Sequence, residues 1–481
     1  MLRFATLDVQ SFSSDETVTA LLVRLDFGSM LGAIEKTEST PPLYYVVAWL
    51  WTHVFGRGEV GLRSLSALLG TAAIPLTYSA GVKLVSGRTG IGAAAIVAVS
   101  PLLVEYSQDA RAYALLVALS AASLALFAHV RERPTGRALV GWSVASSLAL
   151  ASHYFAVFAV VAEALWLLVI HRRRDVRIAV GSAALAGLVL LPLALEQRAN
   201  PLAGYLTAGD PLRTRIAILG KQFLVGGHLP HDRFAALLVG LVVVLSAVAF
   251  LARGNRVARR GAACAAVVGA SSIVVPVGLA ALGHDYVITR NAIGGLIPLV
   301  VAGCAGVDAL TRRVASIGVA VVSACLAAIS LTVAFEPKYQ TPDWRGLATS
   351  VRAPSEARLL VVAPNLDGWS ARIPLRVYLP SAIPVGRELL RSAPQLLPLV
   401  GRASELAAPH RVVTREVDLI GVQWPLPSRP AGLPTSFHLV AQSTTDRLRT
   451  AVYRARRPVT IDVTQLDVQP GAAAIVFQTA G

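Results

Sequence analysis

Between residues 61 and 335 the chain is an almost unbroken series of apolar runs, at 61–81, 90–104, 112–130, 138–152, 154–170, 176–195, 234–252, 262–282, 291–308 and 314–335. A helix needs roughly 20 apolar residues to cross the hydrocarbon core of a bilayer, and these ten runs reach or approach that length. Hydrocarbon offers the backbone no water, so each run must close its own hydrogen bonds as a helix. The fold class that follows is an α-helical polytopic membrane protein. Composition agrees: 54% of residues are hydrophobic and 15% charged, outside the range of soluble domains.

The net charge of +16 raises the question of a nucleic-acid partner. The positions of the arginines answer it, because they collect in alternate connections between runs, around 83–88, 131–137, 172–177, 253–260 and 312–313. That is the pattern of cytoplasmic loops, and nucleic acid is not implied. The other connections, and everything after residue 336, are then expected outside the cell membrane. Cys264, Cys304 and Cys325 all lie inside apolar runs, which argues against a disulfide framework or a cysteine metal site.

Residues 43–55 form a shorter apolar run between Pro41-Pro42 and Gly56. It suits an interfacial helix better than a span, with Tyr44, Tyr45, Trp49 and Trp51 expected at headgroup level. Residues 1–60 are accordingly read as an extracytoplasmic loop, 61–335 as the transmembrane domain, and 336–481 as a soluble extracytoplasmic domain. Nothing in residues 1–12 would carry that loop across the membrane, so a first transmembrane helix is expected to be missing ahead of Met1, the alternative being a tail translocated without a signal.

Asp15 and Glu16 stand side by side in this loop. An acidic pair near a bilayer surface has two readings, a helix start with Ser14 or Asp15 as the cap over 17–25, or a base acting on a lipid-borne substrate. On the topology above it shares a membrane face with Arg63, Gln108, Asp109, Arg111, Tyr113, His153 and Arg290. For the arginines the bland alternative is a snorkelling anchor; for His153 it is a structural turn. Asp109 is expected to fix Arg111 by a salt bridge.

The order Asp15-Glu16, Pro41-Pro-Leu-Tyr-Tyr45, Val60-Gly-Leu-Arg63, Ser100 to Tyr113, Ser152-His-Tyr-Phe155, Arg290-Asn291 and Tyr339 to Gly346 resembles the GT-C fold membrane glycosyltransferases. Within them it is similar to the protein O-mannosyltransferase and aminoarabinose transferase group and to bacterial mannosyltransferase-like proteins. The sequence departs at Thr40, where His often precedes Pro-Pro, and at Asn291, where Tyr often follows Arg. The resemblance implies inverting transfer of a sugar, mannose by analogy, from a polyprenyl-phosphate donor to a hydroxyl of a protein, glycolipid or glycan acceptor. In that reading Asp15 is the general base and Glu16 its partner. Arg63, Gln108, Asp109, Arg111, Tyr113, His153 and Arg290 bind substrate, with the arginines meeting the charge on the departing phosphate.

No cofactor is implied. His228 and His231 lack a third ligand, so zinc is poorly supported, and a divalent ion beside the acidic pair is left open. The basic stretch 196–233, with Arg198, Arg213, Arg215, Lys221 and Arg233, would cover a lipid-entry groove or touch anionic headgroups. After residue 336 a helix from Asp343 and short β-rich runs at 358–363, 410–413, 417–422, 438–441, 450–453 and 473–477 predict a small α/β domain. The rival functions are a polyprenyl-sugar flippase and an inactive scaffold of the same fold. A transporter would be expected to show internal repeats and charges near the bilayer midplane, and neither is clear in the sequence.

Overall fold

The computed structural model describes residues 2–198, 210–227, 232–336, 339, 341–351, 356–364, 369–379, 383–384, 411–422, 426–445, 448–466 and 474–478. It divides into two compact units. The first holds Met1–Leu7, Glu38–Gly56 and Val60–Ala334; the second holds Asp8–Thr37, Arg57–Glu59 and Phe335–Gly481.

The first unit contains helices α3 (Leu43–Phe55), α4 (Glu59–Leu84), α5 (Gly87–Val99), α6 (Pro101–Ser107), α7 (Tyr113–Glu132), α8 (Gly136–Ser152), α9 (Ala156–Ile170), α10 (Arg174–Arg198), α11 (Leu212–Val225), α12 (Asp232–Arg253) and α13 (Arg256–Ala281). They are followed by α14 (Thr289–Ala309), loosened into 3₁₀ turns at Ile293–Gly295 and Ala305–Ala309, and α15 (Arg312–Phe335). Among the described residues seven helices are long and apolar enough to cross a membrane, and the pair α5 and α6 counts as an eighth span broken by 58°. The chain is therefore a multi-pass membrane protein. The expected run at 90–104 is this broken pair. Its break falls at Ser100-Pro101, where proline removes a backbone N–H and cannot continue the ladder.

Helix α7 runs through the middle of the unit, with Leu116, Leu124, Phe127 and Ala128 fully buried. Helices α10, α12 and α15 instead present rows of exposed Leu and Val, among them Leu185, Leu188, Val189, Leu237, Leu241, Leu245 and Val321. Such surface is stable only against lipid. Close helix approaches rest on missing side chains: a Cβ at Gly261 of α13 would lie 1.6 Å from the carbonyl oxygen of Leu84. Inside the bundle Glu163 of α9 accepts hydrogen bonds from Ser123 of α7 and Trp142 of α8, which keeps a buried carboxylate satisfied.

The second unit joins α1 (Ser14–Leu22) and α2 (Phe27–Thr37) to the C-terminal region. There α16 (Trp344–Ser350) and α17 (Trp369–Tyr378) accompany strands β1 (Arg358–Pro364), β2 (Ile383–Pro384), β3 (Arg411–Val422), β4 (His438–Thr444), β5 (Leu448–Asp462) and β6 (Ala474–Gln478). The sheet order is β2-β6-β1-β3-β5-β4, with β1 and β3 parallel and the other neighbours antiparallel. The two β runs expected at 410–413 and 417–422 are one strand, irregular between Thr414 and Glu416. One face buries Leu359, Val361, Leu419, Phe437 and Tyr453; the other buries Leu360, Val362 and Ile420 against Trp344, Leu347 and Leu375. As the sequence pattern predicts, Asp343 starts α16, its carboxylate accepting from Gly346 N–H at 2.9 Å.

Candidate functional site

The site is built from the elements on either side of the α6–α7 turn. Arg111 sits in that turn, 8% exposed, and its guanidinium forks onto Glu38, with Nη1–Oε1 2.9 Å and Nη2–Oε2 2.8 Å. Tyr45 of α3 donates its hydroxyl to the same carboxylate at 2.6 Å, and the Arg111 guanidinium stands 5.8 Å from the Tyr45 ring centroid. The Thr40 hydroxyl lies 3.1 Å from that of Tyr45. Gln197, at the end of α10, donates to the Thr40 carbonyl at 3.3 Å and accepts from Tyr154 at 2.8 Å. A bidentate pair with further hydrogen bonds is the arrangement in which two buried charges are tolerated.

Beside this pair Tyr113, the first residue of α7, packs on Tyr106 with ring centroids 4.8 Å apart and on His153 at 5.8 Å. His153 caps α8 and is 3% exposed. Its Nδ1 accepts from Phe155 N–H at 3.3 Å, which leaves the ring proton of the neutral form on Nε2. Burial pushes the imidazole down to about 3, and the charges of Arg290 and Arg111 add to the effect. The structure thus gathers Arg111, Tyr113, His153 and Arg290 into one cationic, aromatic cluster, with Glu38 as the carboxylate that holds Arg111.

A pH consequence follows. The unfolded chain protonates His153 near its ordinary value of about 6.5, whereas the fold keeps it neutral down to about 3. Between those values the unfolded state binds the extra proton, so this residue's contribution to stability is complete above about 6.5 and is lost as pH falls. In an NMR titration of histidine side chains, the resonance removed by His153→Gln is expected to stay still between pH 5 and 8. An ordinary titration near 6.5 would refute the burial argument.

The other expected site residues have more structural surroundings. Gln108 donates to Thr6 Oγ1 at 2.7 Å and to the Leu2 carbonyl at 3.2 Å. Arg63, in the first turns of α4, is 3% exposed and donates to the Leu7 carbonyl at 3.0 Å, so it is held by protein and does not snorkel. Asp109 is half-buried in the same turn as Arg111, its carbonyl accepting from Arg111 N–H at 2.8 Å. The carboxylate that forks onto Arg111 is Glu38, a residue outside the expected set.

Asp15 and Glu16 lie in the second unit, in the first turn of α1. The helix cap is neither Ser14 nor Asp15 but Ser13, one residue earlier, and the helix covers Ser14–Leu22. Ser13 Oγ accepts from Glu16 N–H at 3.2 Å, and Glu16 Oε2 accepts from Ser13 N–H at 2.8 Å, a complete capping box. Glu16 is 2% exposed and committed to this local bond; Asp15, half-buried, points from the neighbouring position. In the same unit α1 packs on α17, and Phe12 N–H donates to the Tyr378 hydroxyl at 2.7 Å.

Further expectations are corrected. Tyr44 and Tyr45 are fully buried, because their hydroxyls reach Ser66 and Glu38, and are not headgroup aromatics. Trp51 donates to the Gly61 carbonyl at 3.1 Å and Ser64 Oγ at 3.0 Å. In the basic stretch Arg215 pairs with Asp285, Lys221 with Asp232, and exposed Arg198 lies 3.3 Å from His284 Nδ1. His228 and His231 lie outside the described residues.

Sequence reasoning missed Glu38, Tyr45, Thr40 and Gln197. No local pattern marks Glu38 out from Glu35, three residues before it.

Comparison with known proteins adds three findings. The family model described as dolichyl-phosphate-mannose-protein mannosyltransferase matches residues 39–195. No curated protein matches the sequence. Among solved structures, the chain is similar to ArnT from Cupriavidus metallidurans in the apo state, with 15% identity, TM-score 0.56, and coverage of 94% of this chain and 95% of that one. It is similar as well to the same ArnT bound to undecaprenyl phosphate, with 14% identity, TM-score 0.59, and coverage of 94% and 96%.

Proposed function

On the premise that the chain has the GT-C glycosyltransferase fold, we propose that it is a membrane glycosyltransferase that moves a sugar from a polyprenyl-phosphate donor to an acceptor hydroxyl with inversion. The observation that carries this reading is the cluster of buried Arg111, His153 and Tyr113 with half-buried Arg290, and Glu38 fixing Arg111. ArnT, the structural neighbour, has been seen with undecaprenyl phosphate bound, which supports a lipid phosphate as ligand. The name of the matching family model supports mannose as the sugar.

In the proposed reaction the acceptor oxygen attacks the anomeric carbon and its proton passes to the Asp15 carboxylate. The bond from that carbon to the phosphate oxygen breaks, and the electron pair leaves with the lipid phosphate. A phosphodiester becomes a phosphomonoester, so negative charge grows on the leaving group. Arg111 and Arg290 meet it with fixed positive charge, and neutral His153 offers its Nε2–H. Residues 1–60 and 336–481 are placed on the extracytoplasmic side, from the distribution of arginines between spans.

Membranes carrying the full chain, supplied with radiolabelled polyprenyl-phosphate mannose, glucose or aminoarabinose, are expected to pass label to an acceptor with inverted anomeric configuration. Label that crosses the bilayer without transfer would replace this reading with a flippase. Retention of configuration would remove the single-base mechanism.

A further inference from the structure

We propose that residues 2–7 form a positioning strap, with Arg3 as its central positioning residue, that sets the angle of the α5–α6 break and so places Arg111 and Tyr113; this rests on reading their cluster as the site of the lipid phosphate. In an unbroken helix the Val97 carbonyl would accept from the N–H of residue 101. Pro101 has none. Arg3 supplies the missing donors, with Nη2 to the Val97 carbonyl at 2.7 Å and Nη1 to the Ala98 carbonyl at 2.8 Å. The same guanidinium reaches across the break, Nε donating to Ser107 Oγ at 2.9 Å. One planar fork thus grips the last turn of α5 and the last residue of α6, on the two sides of a 58° bend.

Two further observations tie the strap to the turn that follows. Gly70 of α4 makes the room, since a Cβ there would lie 2.0 Å from Ser107 Oγ and 3.3 Å from Arg3 Nε. Gln108, next in sequence, donates to Thr6 Oγ1 and the Leu2 carbonyl, while Arg63 of α4 donates to the Leu7 carbonyl. Arg3 is 4% exposed, and the partners that receive its hydrogen bonds are two carbonyls and a hydroxyl, none of them anionic. A buried guanidinium without a carboxylate among those bonds is an expensive way to add stability. It is an effective way to fix an angle, because its donors form a rigid fork.

The lever is short. Helix α6 is about 10 Å long at 1.5 Å per residue, so a change of about 5° at the break moves its far end by about 1 Å. Displacement on that scale costs about 10²-fold in a preorganised site.

The test uses the full chain in lipid nanodiscs, radiolabelled farnesyl phosphate as the binding probe, and hydrogen exchange across 102–113. Arg111→Gln is expected to weaken binding at least about tenfold, as loss of a charge-assisted fork should. Arg3→Met is expected to weaken it about five- to twentyfold per folded molecule and to speed exchange across 102–113, with Arg3→Lys between Arg3→Met and wild type because it keeps a donor but not the fork. A merely structural Arg3 would lower the folded fraction and leave the dissociation constant of the remainder unchanged, which overturns the proposal. Should Arg3→Met not fold, Arg3→Lys decides by the same comparison. Should Arg111→Gln bind as wild type, the phosphate reading falls, and exchange alone judges the strap: unaltered exchange in the Arg3 variants overturns it, faster exchange upholds its mechanical part.

Discussion

Asp15→Asn is expected to lower sugar transfer by about 10²–10⁴-fold, the range over which a positioned general base contributes, while leaving the affinity for a polyprenyl phosphate within about twofold. The amide keeps the size of the side chain and loses its capacity to take the acceptor proton. The adjacent residue supplies the control. Glu16 closes the capping box with Ser13, and a glutamine there can still accept from Ser13 N–H, so Glu16→Gln is expected to leave stability nearly unchanged and to keep most of the transfer rate per folded molecule. Single-turnover transfer from preloaded donor, measured on both variants, separates the roles. Transfer surviving in Asp15→Asn but lost in Glu16→Gln would reverse the assignment, and survival in both would end it.

Glu38→Ala is the second large effect. Glu38 is 3% exposed and holds a guanidinium and a phenol hydroxyl at once. Removing one partner of a buried ion pair costs about 3–5 kcal/mol, most of it the desolvated charge left behind. The unfolding midpoint in detergent should fall sharply, and binding of the lipid phosphate should weaken because Arg111 loses its orientation. The double variant Glu38→Gln with Arg111→Gln tests the pairing itself: the two losses should combine to less than their sum, since the second substitution removes the charge stranded by the first. Strictly additive losses would mean that the two residues act separately.

What the sequence disclosed and what it hid divide along a physical line. The membrane class was legible because burial in lipid writes itself into long apolar runs, but the run at 90–104 reads as one span and gives no sign of the 58° break at Ser100-Pro101. The C-terminal strands were legible in part; β2, two residues long, carries no period to detect. The helix start near Asp15-Glu16 was visible, yet the cap is Ser13 rather than Ser14 or Asp15 and the helix begins three residues early, because three of four neighbouring side chains can cap. Of the candidate cluster, Arg111, Tyr113, His153 and Arg290 could be named from their places at the ends of apolar runs. Glu38 could not, since its link to Arg111 spans 73 residues and no local pattern encodes it. Tyr45 was misread for the same reason: an aromatic near Pro-Pro looks interfacial until its hydroxyl finds a carboxylate.

The second unit is discontinuous along the chain, and this bears on how such proteins can be recombined. Ser11 and Phe12 are tied to Asp343 and Tyr378 over more than 300 residues, at 3.2 and 2.7 Å. A chimera that exchanges residues 336–481 for those of a relative would graft a foreign surface under α1 and break the lodging of the helix that bears Asp15. A viable exchange must carry 8–37 and 57–59 along with the C-terminal region, so the transplantable module is three stretches of sequence moved together.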